Sequence, residues 1–518
     1  MTILKKYSYV AVSFLAGFSL MTFELIAARL VAPLVGSSVF TWTSVIGTVL
    51  LGLSFGSIAG GMLADYYKND KVLGYVLLLS AFSVFMTPIL ARSADFTRVP
   101  LGMWATTLVV SLALFLIPSF FLGMLQPIAL KLYARSFFDI GKEYGFLSAV
   151  WSLGSIAGVF LTGFYFTAAI GTAATLTNVG FLLFLLAVYF LVCEKRYRVG
   201  RFIFAIVGTA LFLVALSFVT RSHASSNVVY EKETPYYLAR VVNIDNMDIG
   251  PAKALFLDFD SHSVEKTSEA SGPLFYTAMA PVFGVIKNDI KKIHVIGGGA
   301  YTLPKRFVDY YPNADVSVTE IDPEVTRIAE EYFNLDAYNI KSFHEDARLY
   351  FARSRETYDV VFGDAYNSFI SVPWHLATRE FTREIRDHLN PGGIYAINFI
   401  SSLDPEKSDF FISMLKTFSR EFPHHYVFVF GDTPSRIQNV VLVGTNGSLP
   451  ETSDNFYHTL KNNSGTKQFA AFLFDEKSID ISSGIALTDD FAPVEKLMSS
   501  TMADYFPRYV AFYSSLVK

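Results

Sequence analysis

The stretch KKIHVIGGGAYTLPKRF, residues 291–307, decides the fold of the second half of this chain. Its apolar run predicts a buried strand, and the three glycines that follow predict a tight turn. Pro304 fits the first turn of a helix, where its missing N–H costs nothing. A strand, a glycine turn and a helix in this order are typical of nucleotide-binding α/β domains. The third glycine of the dinucleotide fingerprint G-x-G-x-x-G is replaced by Thr302.

Strand and helix patterns alternate after this turn, as expected of a doubly wound, Rossmann-like parallel sheet. The segments, in chain order, are DVSVTEID, PEVTRIAEEYF, IKSFHEDA, YDVVFGDAY, LATREFTREIRDHLNPGG and IYAINFI. The fifth is predicted to be a helix that stops at Pro-Gly-Gly. HHYVFVFGD and QNVVLVG follow as two edge strands, expected to be antiparallel. We assign residues 286–518 to this nucleotide-binding domain and residues 223–285, with YYLARVVN and KALFLDFDSHSVEK, to a small β region before it.

The first half of the chain has a different character, which predicts a multi-span α-helical membrane domain over residues 1–222. The whole chain has 518 residues, is 52% hydrophobic and has a mean hydropathy of +0.38. About seven apolar runs approach the twenty residues that cross a bilayer. They are residues 7–32, 38–64, 72–91, 101–130, 144–169, 173–193 and 201–220. The first is too long for a signal peptide, so we expect it to be retained in an integral inner-membrane protein.

Charge limits the location and the partners. Loops on the N-terminal side hold about eleven basic residues and the opposite loops about three, which predicts a cytoplasmic N-terminus. Seven spans would then put the second half outside, away from a cytoplasmic nucleotide, so its side of the membrane stays open. A net charge of −4 argues against a nucleic-acid partner. The single cysteine excludes an internal disulfide and a cysteine metal site, and no metal is predicted.

Acidic residues follow three of the predicted parallel strands. Glu320, Asp346 and Asp364 each end a strand, and in open parallel sheets ligands bind at these ends. A carboxylate after the second strand can accept both ribose hydroxyls, and one after the third can accept an adenine amino proton. Since the pyrophosphate fingerprint is missing, the set favours an adenosine ligand without phosphates. The best fit is a sulfonium, S-adenosylmethionine or its decarboxylated form.

These segments together resemble the spermidine synthases, the polyamine aminopropyltransferase family, over roughly residues 234–444. The matching pieces are TPYYLARVV, ALFLDFDSHS, LFYTAMAPV, HVIGGGAYTLPK, VTEIDPEV, HEDARLYF and GDAYNSFISVPWHLATREF. The whole layout, with the tail LTDDFAPVEKL, resembles the bacterial membrane-fused spermidine synthase-like proteins. GSIAGGMLADYYKNDK, in the second span, resembles a loop motif of major facilitator transporters.

The resemblance implies a sheet of the S-adenosylmethionine-methyltransferase type and an aminopropyl transfer from decarboxylated S-adenosylmethionine to a polyamine such as putrescine. The general base would be Asp364. The nucleotide would lie against a set of residues from four strand ends: Gly297, Gly298, Gly299, Glu320, Ile321, Asp346 and Ala347. The amine pocket would be formed or supported by Tyr237, Asp258, His262, Tyr276 and Tyr366. Membrane lipid is a further expected partner, and a homodimer stays open.

Two positions depart from the family pattern. Ala300 stands where the family has an acid that binds the aminopropyl amine, and Asn367 replaces a second acid of the catalytic loop. Both substitutions favour an alternative, an S-adenosylmethionine-binding transferase or sensor of another specificity. A third reading is a transport protein with a regulatory synthase-like domain. It depends on Glu24 and Arg29, ionisable groups within the first span.

Overall fold

A computed structural model describes thirteen stretches of the chain. They are residues 3–35, 38–67, 69–93, 103–134, 140–192, 227–246, 250–258, 260–266, 275–365, 372–431, 437–447, 452–476 and 479–517. The chain divides into two compact units. One holds residues 1–223 with 233–235, and the other holds residues 224–232 with 236–518.

The first unit is helical. Its helices are Ile3–Val35, Val39–Tyr66, Asp70–Ser93, Met103–Tyr133, Ile140–Leu161, Thr167–Ile170 and Thr172–Val192, with a π-helical segment at Thr162–Phe166. In the described residues, six helices are long and apolar enough to cross a membrane. They correspond to the first six predicted spans. The seventh predicted span, residues 201–220, lies outside the described residues.

Glycines bring two of these helices close together. Gly52, Gly56 and Gly60 of Val39–Tyr66 face the helix Met103–Tyr133, and a side-chain carbon on any of them would collide with that helix. Such close approach through small residues is usual between membrane helices. In the same unit, the Arg29 guanidinium donates to the Thr234 carbonyl oxygen at 3.2 Å.

The second unit begins with a four-stranded sheet in the order β1-β2-β3-β4. The strands are β1 (Val228–Glu233), β2 (Leu238–Asn246), β3 (Gly250–Leu257) and β4 (Asp260–Lys266). β2 with β3, and β3 with β4, are antiparallel. The apolar face of this sheet packs with Ala300 and with Val325 and Ile328 of the following domain.

An eight-stranded sheet follows, in the order β12-β10-β11-β9-β8-β5-β6-β7. Its strands are β5 (Lys292–Ile296), β6 (Asp315–Thr319), β7 (Ile340–Phe343), β8 (Tyr358–Gly363), β9 (Leu389–Ser401), β10 (His425–Phe430), β11 (Gln438–Thr445) and β12 (Leu473–Phe474). β5 to β9 are parallel, whereas β10, β11 and β12 pair antiparallel at one edge. The predicted Rossmann-like sheet and its antiparallel edge are thereby confirmed, and β12 was not predicted.

The second unit also contains eight α-helices in the described stretches. They are Ala280–Ile286, Thr302–Tyr310, Pro323–Tyr332, Ala347–Arg353, Arg379–Asp387, Asp409–Ser419, Ser453–Asn462 and Val494–Val517. One boundary was predicted wrongly, because the Pro-Gly-Gly segment does not stop a helix. It lies inside β9 instead, where Leu389 pairs with Tyr358 and Ile394 with Val360. The residues between them bulge out, and Gly392 supplies the positive φ of 67° that this needs.

The chain order crosses over between β5 and β8. From β5 the chain moves to β6 and β7 on one side, and then returns to β8 and β9 on the other. In open α/β sheets the crevice at such a switch point, at the carboxyl ends of the strands, is where ligands bind.

Candidate active site

The glycine turn follows β5 and packs against the end of β8. Gly297 has a φ of +94°, a conformation that glycine adopts readily. A side-chain carbon there would lie 3.0 Å from the Asp364 carbonyl oxygen. The Asp364 amide in turn donates to the Ile296 carbonyl oxygen at 2.8 Å. Glycine therefore lets the turn and the candidate base approach each other at one edge of the sheet.

Glu320, directly after β6, faces the same turn. Its carboxylate accepts the backbone N–H groups of Gly298 at 2.9 Å and Gly299 at 3.4 Å, and that of Asp322 at 3.0 Å. Burial raises the pKa of Glu320, and these three donors offset the rise only in part. The structure thus brings the predicted glycines and the predicted ribose-binding acid together.

Asp364, directly after β8, receives two side-chain donors. The Tyr276 hydroxyl donates to Oδ2 at 3.1 Å, and the Asn398 amide donates to Oδ1 at 2.9 Å. Tyr276 is buried and stacks on Phe362 of β8 with ring centroids 6.3 Å apart. An ionised carboxylate only accepts hydrogen bonds, so both of these side chains must donate to it. The arrangement suits a group that accepts a proton from a nearby molecule.

Asp346 acts locally as a helix cap. Its Oδ1 accepts the backbone N–H groups of Arg348 at 2.9 Å and Leu349 at 3.2 Å, and the buried Ala347 begins that helix. Its Oδ2 lies 3.0 Å from His375 Nε2. This His375 hydrogen bond is the main cause that lowers the pKa of Asp346. Asp346 therefore caps the helix with one carboxylate oxygen and contacts the His375 ring with the other.

Three of the predicted amine-pocket residues lie on the small sheet. The rings of Tyr237 and His262 have centroids 6.3 Å apart. Burial raises the pKa of Tyr237, helped by the nearby charge of Glu320, and burial lowers that of His262 to about 4. Asp258 sits in the turn between β3 and β4 at a φ of +58°, and its carboxylate accepts the Leu238 N–H at 3.0 Å. This hydrogen bond of Asp258 is with the backbone at the start of β2.

Ala300 does not face the ligand edge. Its side chain is fully buried in the apolar cluster between the small sheet and the helix Pro323–Tyr332. Its N–H donates to Ser263 Oγ at 3.0 Å. The next residue, Tyr301, has a φ of +57°, and its buried hydroxyl bonds to Thr326 at 2.8 Å. An acid at position 300 would have to enter an apolar environment in this arrangement.

Three further positions singled out in the sequence are Ile321, Tyr366 and Asn367. Ile321 is half-buried beside Glu320. Tyr366 and Asn367 lie outside the described residues. No group of three or more His, Cys, Asp or Glu side chains in the described stretches could hold a metal ion.

Sequence reasoning missed three residues that contact the predicted ones. They are Asn398 on Asp364, His375 on Asp346 and Ser263 on Ala300. Asn398 left a signal, because a polar side chain interrupts the apolar strand IYAINFI. Ser263 and His375 are ordinary polar residues in sequence, and only the folded chain shows their contacts.

Comparisons with known proteins identify relatives of the second half of the chain. Residues 274–446 match the family model of the spermine/spermidine synthase domain. A probable polyamine aminopropyl transferase of Bifidobacterium longum is 31% identical over 199 residues, covering 38% of this chain and 43% of that protein. The chain therefore contains a spermidine synthase domain and has polyamine aminopropyltransferase homologues, although this match spans less than half of the relative.

A longer match includes the helical half. Polyamine aminopropyltransferase 2 of Aquifex aeolicus is 23% identical over 433 residues, covering 79% of this chain and 81% of that protein. Since residues 227–518 make up less than 79% of the chain, the match extends into the apolar N-terminal part. Among solved structures, a probable spermidine synthase from Corynebacterium glutamicum has a TM-score of 0.40 at 20% identity, covering 52% of this chain and 98% of that one.

Proposed function

We propose that this chain is a membrane-bound aminopropyltransferase. It would transfer the aminopropyl group of decarboxylated S-adenosylmethionine to a polyamine such as putrescine and release 5′-methylthioadenosine. The observation that carries the proposal is the setting of Asp364. It lies against the glycine turn, at the same sheet edge as Glu320, and Tyr276 and Asn398 hold its carboxylate from two sides.

The nucleoside fits the neighbouring strand ends. Glu320 has a buried carboxylate that could accept the ribose hydroxyls, and Ile321 supplies apolar contact. Asp346 Oδ2, which already bonds to His375, would also accept from the adenine amino group, next to Ala347. Tyr237 and His262 would add a neutral aromatic wall, and aromatic faces attract ammonium groups.

The reaction needs an amine without its extra proton. The nitrogen lone pair forms a bond to the carbon next to the sulfonium, and the C–S electron pair returns to sulfur. The product nitrogen then gives its proton to the Asp364 carboxylate. Holding the amine and the sulfonium in line supplies much of the acceleration.

The membrane location is part of the proposal. The six long apolar helices support an integral inner-membrane protein with a cytoplasmic N-terminus. Alkaline phosphatase fused after Lys518 tests the side of the catalytic half. An active fusion would contradict a cytoplasmic site, and an inactive one beside an active cytoplasmic reporter would support it.

The activity is tested with the purified full-length protein. It is incubated with decarboxylated S-adenosylmethionine and putrescine, spermidine or cadaverine, and 5′-methylthioadenosine is measured. We expect product from at least one amine and its loss in Asp364→Asn. No product from any amine, with nucleotide binding unchanged in Asp364→Asn, would overturn the proposal.

One observation favours a second candidate, an S-adenosylmethionine-binding transferase or sensor of other specificity. The Ala300 methyl group packs in an apolar cluster, so this residue supplies no charge for an aminopropyl amine. Running the same assay with intact S-adenosylmethionine separates the two. S-adenosylhomocysteine as product indicates a methyl transfer, and tight binding without product indicates a sensor.

A further inference from the structure

Three side chains on neighbouring strands form one hydrogen-bonded series that ends at Asp364. Asn439 of β11 donates from Nδ2 to Asn398 Oδ1 at 3.1 Å. Asn398 of β9 donates from Nδ2 to Asp364 Oδ1 at 2.9 Å. Asn398 is fully buried, and Asn439 is partly buried. The series therefore runs from the antiparallel edge of the sheet to the candidate base.

The direction of these bonds follows from chemistry. An ionised carboxylate can only accept, so Asn398 must turn its NH2 group toward Asp364. Its oxygen then faces β11, where a buried acceptor needs a donor. Asn439 supplies that donor by presenting its own NH2 group. The orientation of both amides is thus fixed by the charge at the end of the series.

We propose that Asn439 is a positioning residue that acts through Asn398: it holds the Asn398 amide with its NH2 group toward Asp364 and so keeps that carboxylate ionised and oriented. This inference rests on the proposed aminopropyl transfer, in which Asp364 accepts the proton. In this role Asn439 does not itself contact the substrate.

Removing the donor has a defined consequence. Without Asn439, the Asn398 oxygen loses this donor, and rotating the amide by half a turn no longer gives up that hydrogen bond. The rotated amide would present its oxygen to the Asp364 carboxylate, and the two oxygens would repel each other. Protonation of Asp364 relieves this repulsion, because the carboxyl O–H can then donate to the Asn398 oxygen. Because a protonated Asp364 cannot act as a base, the rate should fall on the acid side of the pH profile and recover at higher pH.

Other titratable groups in the described stretches lie at the same end of the sheet as Asp364. Tyr276 contacts it directly from the short helix before Ala280–Ile286. Glu320 follows β6 and Asp346 follows β7, two strands on the far side of β5 from β8. None of these contacts Asn439, so replacing Asn439 changes the setting of Asp364 through Asn398 and leaves the other charges in place.

The chain contains a matched control. Asn390 of the same strand β9 donates to Asp359 Oδ1 at 3.0 Å, at the opposite end of β8. Asn390→Ala removes the same type of bond between the same pair of strands. It should lower the melting temperature and leave the pH profile of turnover unchanged.

The test uses the full-length protein and two measurements. In the pH profile of kcat/KM for 5′-methylthioadenosine release, Asn439→Ala should move the acid limb upward by about one pH unit, about tenfold in rate on that limb. Asn439→Asp should move it further, because its carboxylate accepts from the Asn398 NH2 group and turns that amide around. The second measurement is an infrared titration of the protonated-carboxyl band that is missing in Asp364→Asn. Its midpoint should rise in Asn439→Ala and stay in Asn390→Ala.

The outcomes separate the two proposals. Turnover in wild type with an unmoved acid limb and an unmoved infrared midpoint in Asn439→Ala would overturn the positioning role. An equal shift in Asn390→Ala would overturn it too, since the effect would then be general destabilisation. No turnover in wild type together with a raised midpoint in Asn439→Ala would defeat the aminopropyl transfer and support the positioning of Asp364.

Discussion

The two ends of β8 carry the same residue in two different settings. Asp359, near the start of the strand, and Asp364, directly after its end, each receive an asparagine from β9, Asn390 at 3.0 Å and Asn398 at 2.9 Å. Asp359 also accepts the backbone N–H groups of Lys291 at 2.9 Å and Lys292 at 3.0 Å. Asp364 faces a glycine turn instead.

The difference shows how the polarity of a parallel sheet separates structural from chemical roles. At the amino end, Asp359 accepts the N–H groups of Lys291, just before β5, and of Lys292, the first residue of β5, and so satisfies two backbone donors. Burial raises the pKa of Asp359, but the hydrogen bonds outweigh it and the net pKa is lowered. At the carboxyl end, Asp364 packs against the glycine turn, at the end of the strands where open parallel sheets bind ligands.

The largest expected effect comes from exchanging each aspartate for asparagine. Asp364→Asn should lower kcat by about 10²–10⁴-fold, since a general base contributes that much. Asp359→Asn should keep kcat per folded molecule. It should lower the free energy of unfolding by about 1–3 kcal/mol, because an amide NH2 group meets backbone donors. Turnover and thermal melting of both full-length variants check this, and equal losses of kcat would break the comparison.

The two ends of β6 give the next contrast. Glu320→Ala should weaken binding of the adenosyl sulfonium by about 10–100-fold, because charge-assisted bonds to ribose are lost. Asp315→Ala, at the start of the same strand and exposed, should leave affinity unchanged. Calorimetric titration with decarboxylated S-adenosylmethionine measures both. If Glu320→Ala bound decarboxylated S-adenosylmethionine as tightly as wild type does, the ribose would not lie against Glu320.

A residue in the middle of a strand, between the amino and the carboxyl ends, should affect neither catalysis nor ligand binding. His294 of β5 is fully buried, bonds to Ser317 at 2.9 Å, and burial lowers its pKa to about 3. Below about pH 6.5 the unfolded chain binds a proton that the folded chain does not, so stability falls as the pH drops toward 3. The slope is about 1.4 kcal/mol per pH unit.

Melting of the full-length protein from pH 7.5 to pH 5 measures that slope. His294→Gln should be less pH-sensitive than wild type, and turnover per folded molecule should be similar. The exposed His458→Gln serves as the control and should keep the wild-type slope. Parallel curves for wild type and His294→Gln would contradict the prediction.

The smallest effect is expected at Asp346, which combines a helix cap with the ligand edge. Asp346→Ala should lower the free energy of unfolding by about 1 kcal/mol at pH 7. Since the folded-state pKa of Asp346 is lowered, first by its bond to His375, this contribution is present above its ordinary pKa of about 3.9. It should disappear as the pH falls through the lower folded-state value.

Asparagine also caps helices, so Asp346→Asn should keep most of that stability while weakening nucleoside binding. Thermal melting and calorimetric titration of the two variants separate capping from binding. If both variants bound nucleotide as wild type does, Asp346 would belong with Asp359 among the structural acids.

Local patterns in the sequence predicted much of the fold and the place in the fold of part of the candidate site. The strand–turn–helix at residues 291–307, the parallel strands and the antiparallel edge are confirmed. Glu320 and Asp364 do meet the glycine turn. Pro-Gly-Gly in the sequence indicates a helix stop, but in the structure it forms a bulge inside β9. The sequence does not distinguish the two, because a bulge inside a strand uses the same residues as a turn. The inward direction of Ala300 depends on packing against another sheet, which no local pattern encodes.

The sequence by itself determined the division into an apolar half and an α/β half. It also determined the succession of strands and helices along the second half and the acidic residues that follow three of the strands. These features depend on periodicity and on residues close along the chain. Only the tertiary structure decided which side chains hold Asp364, because Asn398 is 34 residues away and Tyr276 88 residues away. The same holds for Asn439, 41 residues from Asn398. Such partners are selected by strand order and burial, which exist only once the sheet has formed.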